Sequence, residues 1–417
     1  MTPLRAVNEH SERAADPGSR PFDASVMPTV TMIGGGQLAR MTHQAAIALG
    51  QRLRVLAERP DDPAAQVTPE VVIGSHTDLA ALRKAAVGSH ALTFDHEHVP
   101  TEHLLELVAE GVNVQPPPQA LVFAQDKLAM RRRLSELGVP VPAFAPVESV
   151  ADAVAFGDAH GWPCVLKSVR GGYDGRGVWM PESAAEAESI VNDQLAHGVS
   201  LMAEAKVALR RELSAMVARS TFGQAAVWPV VETVQRDGQC AVVIAPAPGL
   251  PEHASDEASA LALRLAAELG TTGAMAVELF ETHTGDLLVN ELAMRPHNSG
   301  HWGMDGAVTG QFEQHLRAVL DYPLGDTAPL APVTVMANIL GAPEAPAMSM
   351  DERLHHLFAR MPEAKVHLYG KGERPNRKIG HVNILGDDVA EVREKAERAA
   401  RWMSHAEWTD GWDPHGE

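Results

Sequence analysis

A glycine-rich loop after a short apolar strand is the first place in this sequence where residue types and spacing could do chemistry. The strand Cys164 to Leu166 runs into Lys167, and the loop that follows contains GGYDGRG from Gly171 to Gly177. Glycine packs no side chain and loses the most backbone entropy on folding, so four glycines in seven residues indicate that backbone N–H groups approach an anion closely. Lys167 at the strand end and Arg176 inside the loop would suit a polyphosphate. The alternative is an ordinary glycine-rich hairpin with incidental charges.

A second candidate is a pair of glutamates on two short strands joined by a turn. The segment GAMAVELF at 273–280 carries Glu278 in an apolar run, the turn HTGD follows, and LLVNE at 287–291 ends in Asn290 and Glu291. Two such strands should pair as a hairpin, which places both carboxylates at one cavity. Buried carboxylates repel each other unless a cation lies between them, and hard oxygen ligands favour Mg²⁺ completed by phosphate oxygens. The alternative is one solvated and one salt-bridged carboxylate.

Two further segments concentrate charge or hydrogen-bond donors in a chain whose formal charge is −19. Four cations lie within eight residues, at Lys371, Arg374, Arg377 and Lys378. They either bind a phosphate or acidic group of a substrate or form a solvated turn, and the sequence leaves both interpretations open. The loop RPHNSGHW at 295–302 has more donors than a connector requires. A run of three arginines at 131–133 is interpreted as an exposed helix face.

The element at the start of the fold is a β-branched strand that runs into the turn GGGQLA and a helix from about Ala39 to Leu49. Strand, glycine turn and helix are typical of a doubly wound α/β domain. The spacing of Gly34 and Gly36, with Glu58 after the next strand, also matches a dinucleotide fingerprint. Glu97, in the polar run DHEH at the end of a later strand, either touches a ligand or lies in a solvated loop.

The elements downstream predict a mixture of antiparallel sheet and helices. Helices are predicted from Leu121 to Gly138 and at 152–160, 184–195, 258–269, 311–320 and 388–403, and strands at 201–204, 212–218, 225–231, 333–340 and 365–369. A last short strand of the first domain is predicted at 113–118. The predicted organisation is a disordered leader at 1–26, a Rossmann-like domain at 27–120, a central domain at 121–325 and a C-terminal domain at 326–417.

Composition narrows the class of protein. The 417 residues are 45% hydrophobic, enough for two or three cores. With 54 acidic and 35 basic residues the chain has no broad cationic face for nucleic acid. Two cysteines without metal-site spacing suit a reducing compartment, and no apolar run approaches the ~20 residues of a membrane span. The leader lacks the apolar centre of a signal peptide. A cytoplasmic protein without membrane or nucleic-acid partners is expected.

These residues together resemble an ATP-grasp ligase. The resemblance rests on Lys127, Lys167, GGYDGRG, Glu204, Glu212, Glu278 and the run NELAMRPHNSGHW. Within that superfamily, GGYDGRG, HNSGH and RPNRKIGH in this order are similar to the N5-carboxyaminoimidazole ribonucleotide synthetase family of purine biosynthesis, over roughly residues 28–405. The resemblance implies an α/β and α+β fold of three domains. They are a Rossmann-like N-terminal domain, a central ATP-grasp domain of two α/β subdomains and a small C-terminal domain.

The resemblance also implies an activity, its cofactors and its partners. ATP with Mg²⁺ or Mn²⁺ would drive the carboxylation of aminoimidazole ribonucleotide by bicarbonate through carboxyphosphate, and the enzyme would be a homodimer. No side-chain nucleophile is required, because catalysis would be electrostatic and positional. The glycine loop would act as a lid that shields carboxyphosphate from water.

Residue roles follow from the same resemblance. Lys167 and Arg295 would be catalytic. ATP would be held by Lys127, Lys167, Gly172, Tyr173, Asp174, Gly175, Arg176, Gly177, Glu204, Ala205, Lys206, Val207, Glu212, Asn290 and Glu291. Of these, Glu204 and the backbone through Val207 would read adenine, and Glu212 would bind the ribose. The nucleotide substrate would contact Tyr173, Asp174, Arg176, Asn298, Ser299, Lys371, Arg377 and Lys378. The metal would be held by Glu278, Glu291 and Asn290. Two positions depart from the family pattern, namely Gln235 in place of a common His and His96 in place of an aromatic residue.

Three alternatives remain open. One is another ATP-grasp ligase, such as a formate-dependent glycinamide ribonucleotide transformylase or a carboxylase with a different acceptor. Another is a nicotinamide-dependent dehydrogenase that uses Gly34, Gly36 and Glu58, which would leave residues 165–300 unexplained. The third is a nucleotide sensor that binds ATP without turnover.

Overall fold

The structure is a computed structural model that describes residues 27–172 and 177–412. The predicted leader at 1–26 lies outside the described residues. So do the loop residues Tyr173, Asp174, Gly175 and Arg176 and the last five residues of the chain.

The N-terminal part is a parallel sheet in the order β3-β2-β1-β4. Its strands are β1 (Thr29–Ile33), β2 (Arg52–Ala57), β3 (Glu70–Ile73) and β4 (Ala91–Phe94), and its helices are α1 (Gln37–Ala48), α2 (Leu79–Ala86) and α3 (Thr101–Ala109). The predicted doubly wound start is confirmed, with α1 beginning two residues earlier than expected. The short strand predicted at 113–118 is reduced to a single parallel bridge between Val114 and Leu92. Because the strands are parallel, the polar residues that follow β1 and β4 lie at one edge of the sheet.

A connecting helical segment leads into a small antiparallel sheet. The helices are α4 (Pro118–Gln125) and α5 (Lys127–Glu136), followed later by α6 (Val150–His160) and α7 (Ala184–Ala196). The single helix expected from Leu121 is therefore two, since Asp126 ends α4 and caps α5 by accepting from the Ala129 N–H at 2.8 Å. The small sheet has the order β5-β8-β6-β7, with β5 (Phe144–Val147), β6 (Val165–Ser168), β7 (Val178–Trp179) and β8 (Leu201–Glu204). The glycine-rich loop joins β6 to β7.

A large antiparallel sheet carries the rest of the chain. Its strands are β9 (Leu209–Arg219), β10 (Ala225–Val227), β11 (Val231–Arg236), β12 (Gln239–Ala245), β13 (Gly273–Thr282), β14 (Leu287–Ala293), β15 (Val333–Leu340), β16 (Lys365–Leu368) and β17 (Lys378–Gly386). The order is β14-β13-β9-β11-β12-β15-β17-β16, and β10 pairs with β9. The strand predicted at 225–231 is wrong as a single element. It divides at Trp228–Val230, where Pro229 has no N–H to donate to a ladder.

The pairing of β12 with β15 joins the predicted central and C-terminal domains in one continuous sheet. The domain boundaries remain predictions. The helices of this region are α8 (Glu252–Glu268), the short α9 (Gly303–Gly306), α10 (Gln311–Val319), α11 (Met350–Arg360) and α12 (Val389–His405).

The core under the large sheet explains why the two acidic strands hold their register. On β13 the side chains of Met275, Val277 and Leu279 are buried in one apolar cluster, whereas Glu278 is on the opposite face. Burying an aliphatic side chain of this size stabilises the fold by about 1.5–3 kcal/mol. A one-residue slip would turn that whole face outward, so the register of the hairpin is strongly fixed.

Candidate active site

The two predicted metal-binding glutamates face each other across the hairpin. Glu278 of β13 and Glu291 of β14 are direct partners in the antiparallel register, which confirms the predicted hairpin. Asn290 lies between them in chain order, and its Nδ2 donates to Glu278 Oε2 at 3.4 Å. The side chains are 29% and 40% exposed for Glu278 and Glu291, so the pair is accessible to a ligand and is not sealed in the core.

Burial and neighbouring carboxylates decide the protonation of this pair. Burial, with the nearby carboxylates of Glu291 and Glu212, raises the pKa of Glu278 to about 8, against the opposing effects of Lys378 and Asn290. A carboxyl with such a pKa loses its proton readily only when a cation arrives. The observation therefore fits the predicted divalent ion.

Two lysines and an arginine surround the acid pair. Lys127 Nζ lies 3.2 Å from Glu291 Oε1, and Lys167 Nζ lies 3.3 Å from Asn290 Oδ1. Lys167 also pairs with Glu204 at 2.6 Å, and Glu204 receives a second bond at 2.6 Å from Arg131. Although burial raises the pKa of Glu204, Lys167 and Arg131 lower it more strongly, so this carboxylate is ionised.

Arg131 corrects the interpretation of the arginine run as an exposed helix face. Its side chain is 1% exposed, and it also donates to the Asn290 carbonyl at 2.6 Å. The signal for its role was its spacing, because Arg131 follows Lys127 by four residues and so shares its face of α5. Arg132, by contrast, is exposed as predicted.

The predicted adenine-binding and ribose-binding residues lie where the chain passes from β8 of the small sheet to β9 of the large sheet. Glu212 on β9 accepts from Gln235 Nε2 at 3.0 Å, and burial raises its pKa. Gln235, the position that departs from the family pattern, therefore orients Glu212 through its amide. The Glu204 carboxylate is engaged by two cations, and the Ala205 N–H donates to the Ala143 carbonyl at 2.8 Å, so the adenine contact of residues 204–207 remains a prediction.

Arg295, the predicted catalytic arginine, joins the hairpin to the N-terminal sheet. Its Nε donates to Glu97 Oε2 at 2.8 Å, and its Nη1 donates to the Pro296 carbonyl at 3.1 Å. Burial lowers the pKa of Arg295, but Glu97, Asp95 and Glu291 raise it by more. Glu97 is thus an ion-pair partner, and its interpretation as part of a solvated loop is wrong.

The loop after Arg295 contributes a histidine whose role the sequence did not single out. His297 Nε2 lies 3.3 Å from Glu278 Oε1, and its Nδ1 lies 2.9 Å from Ser299 Oγ. Burial lowers the pKa of His297 to about 3, with Arg295 and Lys378 acting in the same direction, so the ring is neutral. The only signal available was the number of donors in RPHNSGHW.

The two predicted substrate residues of that loop already have protein partners. The Asn298 side-chain amide exchanges two hydrogen bonds with Asn338, at 3.1 and 2.9 Å. Ser299 is buried, and its hydroxyl lies 2.8 Å from Ser214 Oγ. Both side chains hold the loop against the large sheet, and their contact with a substrate remains a prediction.

The cationic loop between β16 and β17 faces the same cavity. The positive charge of Lys378 acts on both Glu278 and His297. Lys371 bonds to Gln37 at the start of α1 and lies 5.8 Å from the centre of the Tyr369 ring. The interpretation of this run as a solvated turn is wrong for these two lysines, because Lys371 contacts the N-terminal part of the chain and the charge of Lys378 lowers the pKa of Glu278.

The glycine-rich loop is described only at its ends. Gly177 has φ +72°, and a Cβ there would lie 2.3 Å from Ser168 Oγ, so only glycine closes the loop beside Lys167. Its carbonyl accepts from the Ser168 N–H at 2.8 Å. Gly172 ends the described part of the loop's first arm. Four residues with predicted roles lie outside the described part of the chain, namely Tyr173, Asp174, Gly175 and Arg176.

The dinucleotide fingerprint is filled by the chain's own carboxylate. Asp95 accepts from the Gly36 N–H and, at 3.3 Å, from the Ala39 N–H. A pyrophosphate would need these donors at the start of α1. A Cβ at Gly36 would lie 2.2 Å from Asp95 Oδ2, so glycine is required here by the carboxylate. Glu58 pairs with His76 at 3.2 Å. The geometry therefore disfavours the dehydrogenase alternative.

In the part of the chain that the structure describes, no three His, Cys, Asp or Glu side chains converge to hold a metal ion. The acid pair supplies two carboxylates, which matches an ion that takes few protein ligands and completes its shell with phosphate and water. Within residues 27–172 and 177–412, none of the helices has the length and apolarity needed to cross a bilayer.

The acid pair leads to a prediction about stability. In the metal-free chain, Glu278 keeps a proton that the unfolded chain loses above the ordinary pKa of 4.5, so the folded state loses stability as pH rises from about 4.5 to about 8. Glu278→Gln removes this penalty. We expect the variant to be more stable than wild type by about 1–2 kcal/mol at pH 8.5, and by less at pH 6. Urea unfolding without Mg²⁺ or ATP measures the difference, and a gap that widens at pH 6 would contradict the assignment.

Comparison with known proteins identifies relatives of the whole described chain. Family models match for a ribonucleotide synthetase preATP-grasp domain at residues 27–125, an ATP-grasp domain at 132–312 and a phosphoribosylaminoimidazole carboxylase C-terminal domain at 334–395. The chain is 67% identical to the N5-carboxyaminoimidazole ribonucleotide synthase of Mycobacterium tuberculosis strain H37Rv, over 94% of this chain and 91% of that protein.

Solved structures similar to this chain come from the same family as its sequence relatives. The N5-carboxyaminoimidazole ribonucleotide synthetase of Thermus thermophilus is 36% identical, with a TM-score of 0.79 over 92% of this chain and 100% of that one. The N5-carboxyaminoimidazole synthase of Aspergillus clavatus, crystallised with ADP and 5-aminoimidazole ribonucleotide, is 28% identical, with a TM-score of 0.81 over 90% of this chain and 99% of that one.

Proposed function

Because the chain belongs to the N5-carboxyaminoimidazole ribonucleotide synthase family of ATP-grasp ligases, we propose that it carboxylates 5-aminoimidazole ribonucleotide with bicarbonate at the expense of ATP, in purine biosynthesis. The products are N5-carboxyaminoimidazole ribonucleotide, ADP and phosphate. The observation that carries the proposal is the acid pair Glu278 and Glu291, which has Lys127 and Lys167 beside it and the charge of Lys378 acting on Glu278.

The lysines of the small sheet and of α5 bind the ATP phosphates. In the free chain Lys127 and Lys167 are held by Glu291, Asn290 and Glu204, so both ammonium groups are already oriented toward the acid pair. This preorganisation reduces the entropy lost when the phosphates bind. Glu212, oriented by Gln235, takes the ribose hydroxyls, and the backbone of residues 205–207 takes the adenine edge.

Glu278 and Glu291, with Asn290 beside them, hold Mg²⁺, for which Mn²⁺ could substitute. Their fit to the ion rests on the facing positions of the two carboxylates across the hairpin and on the pKa of about 8 at Glu278, which burial and then the neighbouring carboxylates raise. When bound, the ion supplies positive charge against the transferring phosphoryl oxygens. The other residues of the site bind and orient the two substrates.

The reaction proceeds in two transfers. A bicarbonate oxygen attacks the γ-phosphorus and ADP leaves, which gives carboxyphosphate. The exocyclic amine then attacks the carboxyl carbon, the C–O bond to phosphate breaks, and the amine loses a proton. Arg295 neutralises charge on the transferred oxygens, and its ion pair with Glu97 keeps its guanidinium in place. Lys371, Arg377 and Lys378 bind the anionic nucleotide. The glycine loop, from Gly172 to Gly177, excludes water from carboxyphosphate.

ADP release with each cosubstrate omitted in turn tests the function. We expect turnover only when ATP, bicarbonate and aminoimidazole ribonucleotide are all present. Turnover with formate and glycinamide ribonucleotide would instead identify a transformylase, and binding of NADH at the first sheet would revive the dehydrogenase alternative. A homodimer in the cytoplasm is also part of the proposal, and light scattering after gel filtration tests the dimer.

A further inference from the structure

Arg353 is a buried arginine that reaches from α11 to the cationic loop. Its side chain is 1% exposed. Its Nη1 donates to the Met403 carbonyl at 2.6 Å, at the end of α12, and its Nη2 donates to the carboxylate of Glu373 in the loop. A buried guanidinium needs acceptors, and the carbonyl at the end of α12 and the Glu373 carboxylate supply them to the two terminal nitrogens of Arg353.

Besides an internal hydrogen bond from Arg377 Nη1 to the Gly372 carbonyl at 3.2 Å, this loop has contacts at its two ends. At its start, the Gly370 carbonyl accepts from Gln66 Nε2 at 2.8 Å, which ties the loop to the N-terminal sheet. At its end, the backbone of Gly341 exchanges hydrogen bonds with Asn376 and Arg377, each at 2.9 Å. The ion pair with Arg353 holds the segment between these two anchors.

The middle segment of the loop requires a stabilising contact because its charges repel one another. Lys371, Arg374, Arg377 and Lys378 carry like charges within eight residues. Like charges at this spacing favour separation in the free protein, and gathering them only when an anion binds would reduce affinity for the anion. A loop held in one conformation before binding avoids that loss. Glu373 is the only carboxylate among residues 369–378, and it points to Arg353.

We infer that Arg353 and Glu373 are positioning residues for the nucleotide substrate. Their ion pair keeps the cations of the loop gathered for the anionic group of that substrate, although neither residue touches it. The inference rests on the proposed function, since it takes the loop as the binding site of the ribonucleotide.

Steady-state kinetics of Glu373→Gln test the inference. We expect the KM for aminoimidazole ribonucleotide to rise about tenfold, with kcat and the KM for ATP within about twofold of wild type. Arg353→Lys keeps the charge but cannot bridge the Met403 carbonyl and the Glu373 carboxylate as a planar fork does, so its KM should rise as well. The double variant Arg353→Met, Glu373→Leu leaves no unpaired buried charge and therefore folds, and it should show the same KM rise.

Arg360→Met is the matched control. Arg360 lies on the same helix, but it pairs with Asp410 and covers the Trp408 ring at 4.2 Å, on the side of α11 that faces the end of the chain. Its replacement should lower the melting temperature and leave the nucleotide KM unchanged. An unchanged KM in Glu373→Gln and in the double variant, or an equal rise in Arg360→Met, would overturn the inference. The wild-type assay, done first, separates this result from a failure of the proposed function, which would abolish turnover in every form.

Discussion

Replacing Glu291 by Gln should reduce kcat by about three orders of magnitude while the protein stays folded. The substitution keeps the size of the side chain and removes the charge that faces Glu278 across the hairpin. The ion pair that is lost, with Lys127 at 3.2 Å, is partly exposed and contributes little to stability. Coupled ADP-release kinetics and thermal unfolding of the same preparation measure the two effects separately.

Glu70→Gln provides the control for that experiment. Glu70 pairs with Arg54 at 3.0 Å on the N-terminal sheet, and it resembles Glu291 in losing a partly exposed ion pair. It should keep near wild-type turnover. Equal kcat values for Glu291→Gln and wild type would show that the acid pair has no part in turnover. If wild type bound ATP without any turnover, the chain would be the nucleotide sensor considered above.

Replacing Lys378 by Ala should raise the KM for aminoimidazole ribonucleotide about thirtyfold and leave the KM for ATP within about threefold. A charge-assisted contact to phosphate is worth about 2 kcal/mol, which corresponds to that factor. Lys378 begins β17, and its positive charge lowers the pKa of both Glu278 and His297. Its side chain is therefore near the acid pair, where the substrate is proposed to bind. Initial rates with each substrate varied at saturating levels of the others give both constants.

Arg374→Ala separates a specific contact from the net charge of the loop. Arg374 is exposed in the same cationic run, and the family resemblance does not place it among the residues that contact the nucleotide. Its loss should change the nucleotide KM less than about threefold. If Arg374→Ala and Lys378→Ala raised the KM equally, or if Lys378→Ala raised both KM values equally, the phosphate assignment of Lys378 would be wrong.

The sequence alone predicted the structure correctly where the local residue pattern and the overall fold favour the same element. The β13–β14 hairpin and its facing glutamates followed from two apolar runs and a turn, and the strand–turn–helix start of the N-terminal sheet followed from β-branched residues and glycines. The order of the strands in the large sheet required the structure. Its pairings join segments far apart in the chain, such as β12 with β15.

Side-chain partnerships over long sequence distances were missed for the same reason. Arg131 lies in a run of arginines that is typical of a solvated helix, and its partner Glu204 is 73 residues away. Arg295 and Glu97 are 198 residues apart. The dinucleotide fingerprint was misleading because the carboxylate that occupies it, Asp95, follows a different strand. In each case the local sequence pattern does not reveal which distant charged residue pairs with these groups.

The continuous ladder from β9 to β17 determines which part of the molecule can move during a turnover cycle. The acid pair and the cationic loop both belong to this one hydrogen-bonded sheet. The distance between the proposed metal-binding and nucleotide-binding groups is therefore set before any ligand binds. The small sheet, with Lys167 and the arms of the glycine loop, shares no strand with it. We therefore expect the amide exchange that slows on ATP binding to be concentrated in the described part of residues 144–204, which lies outside this ladder.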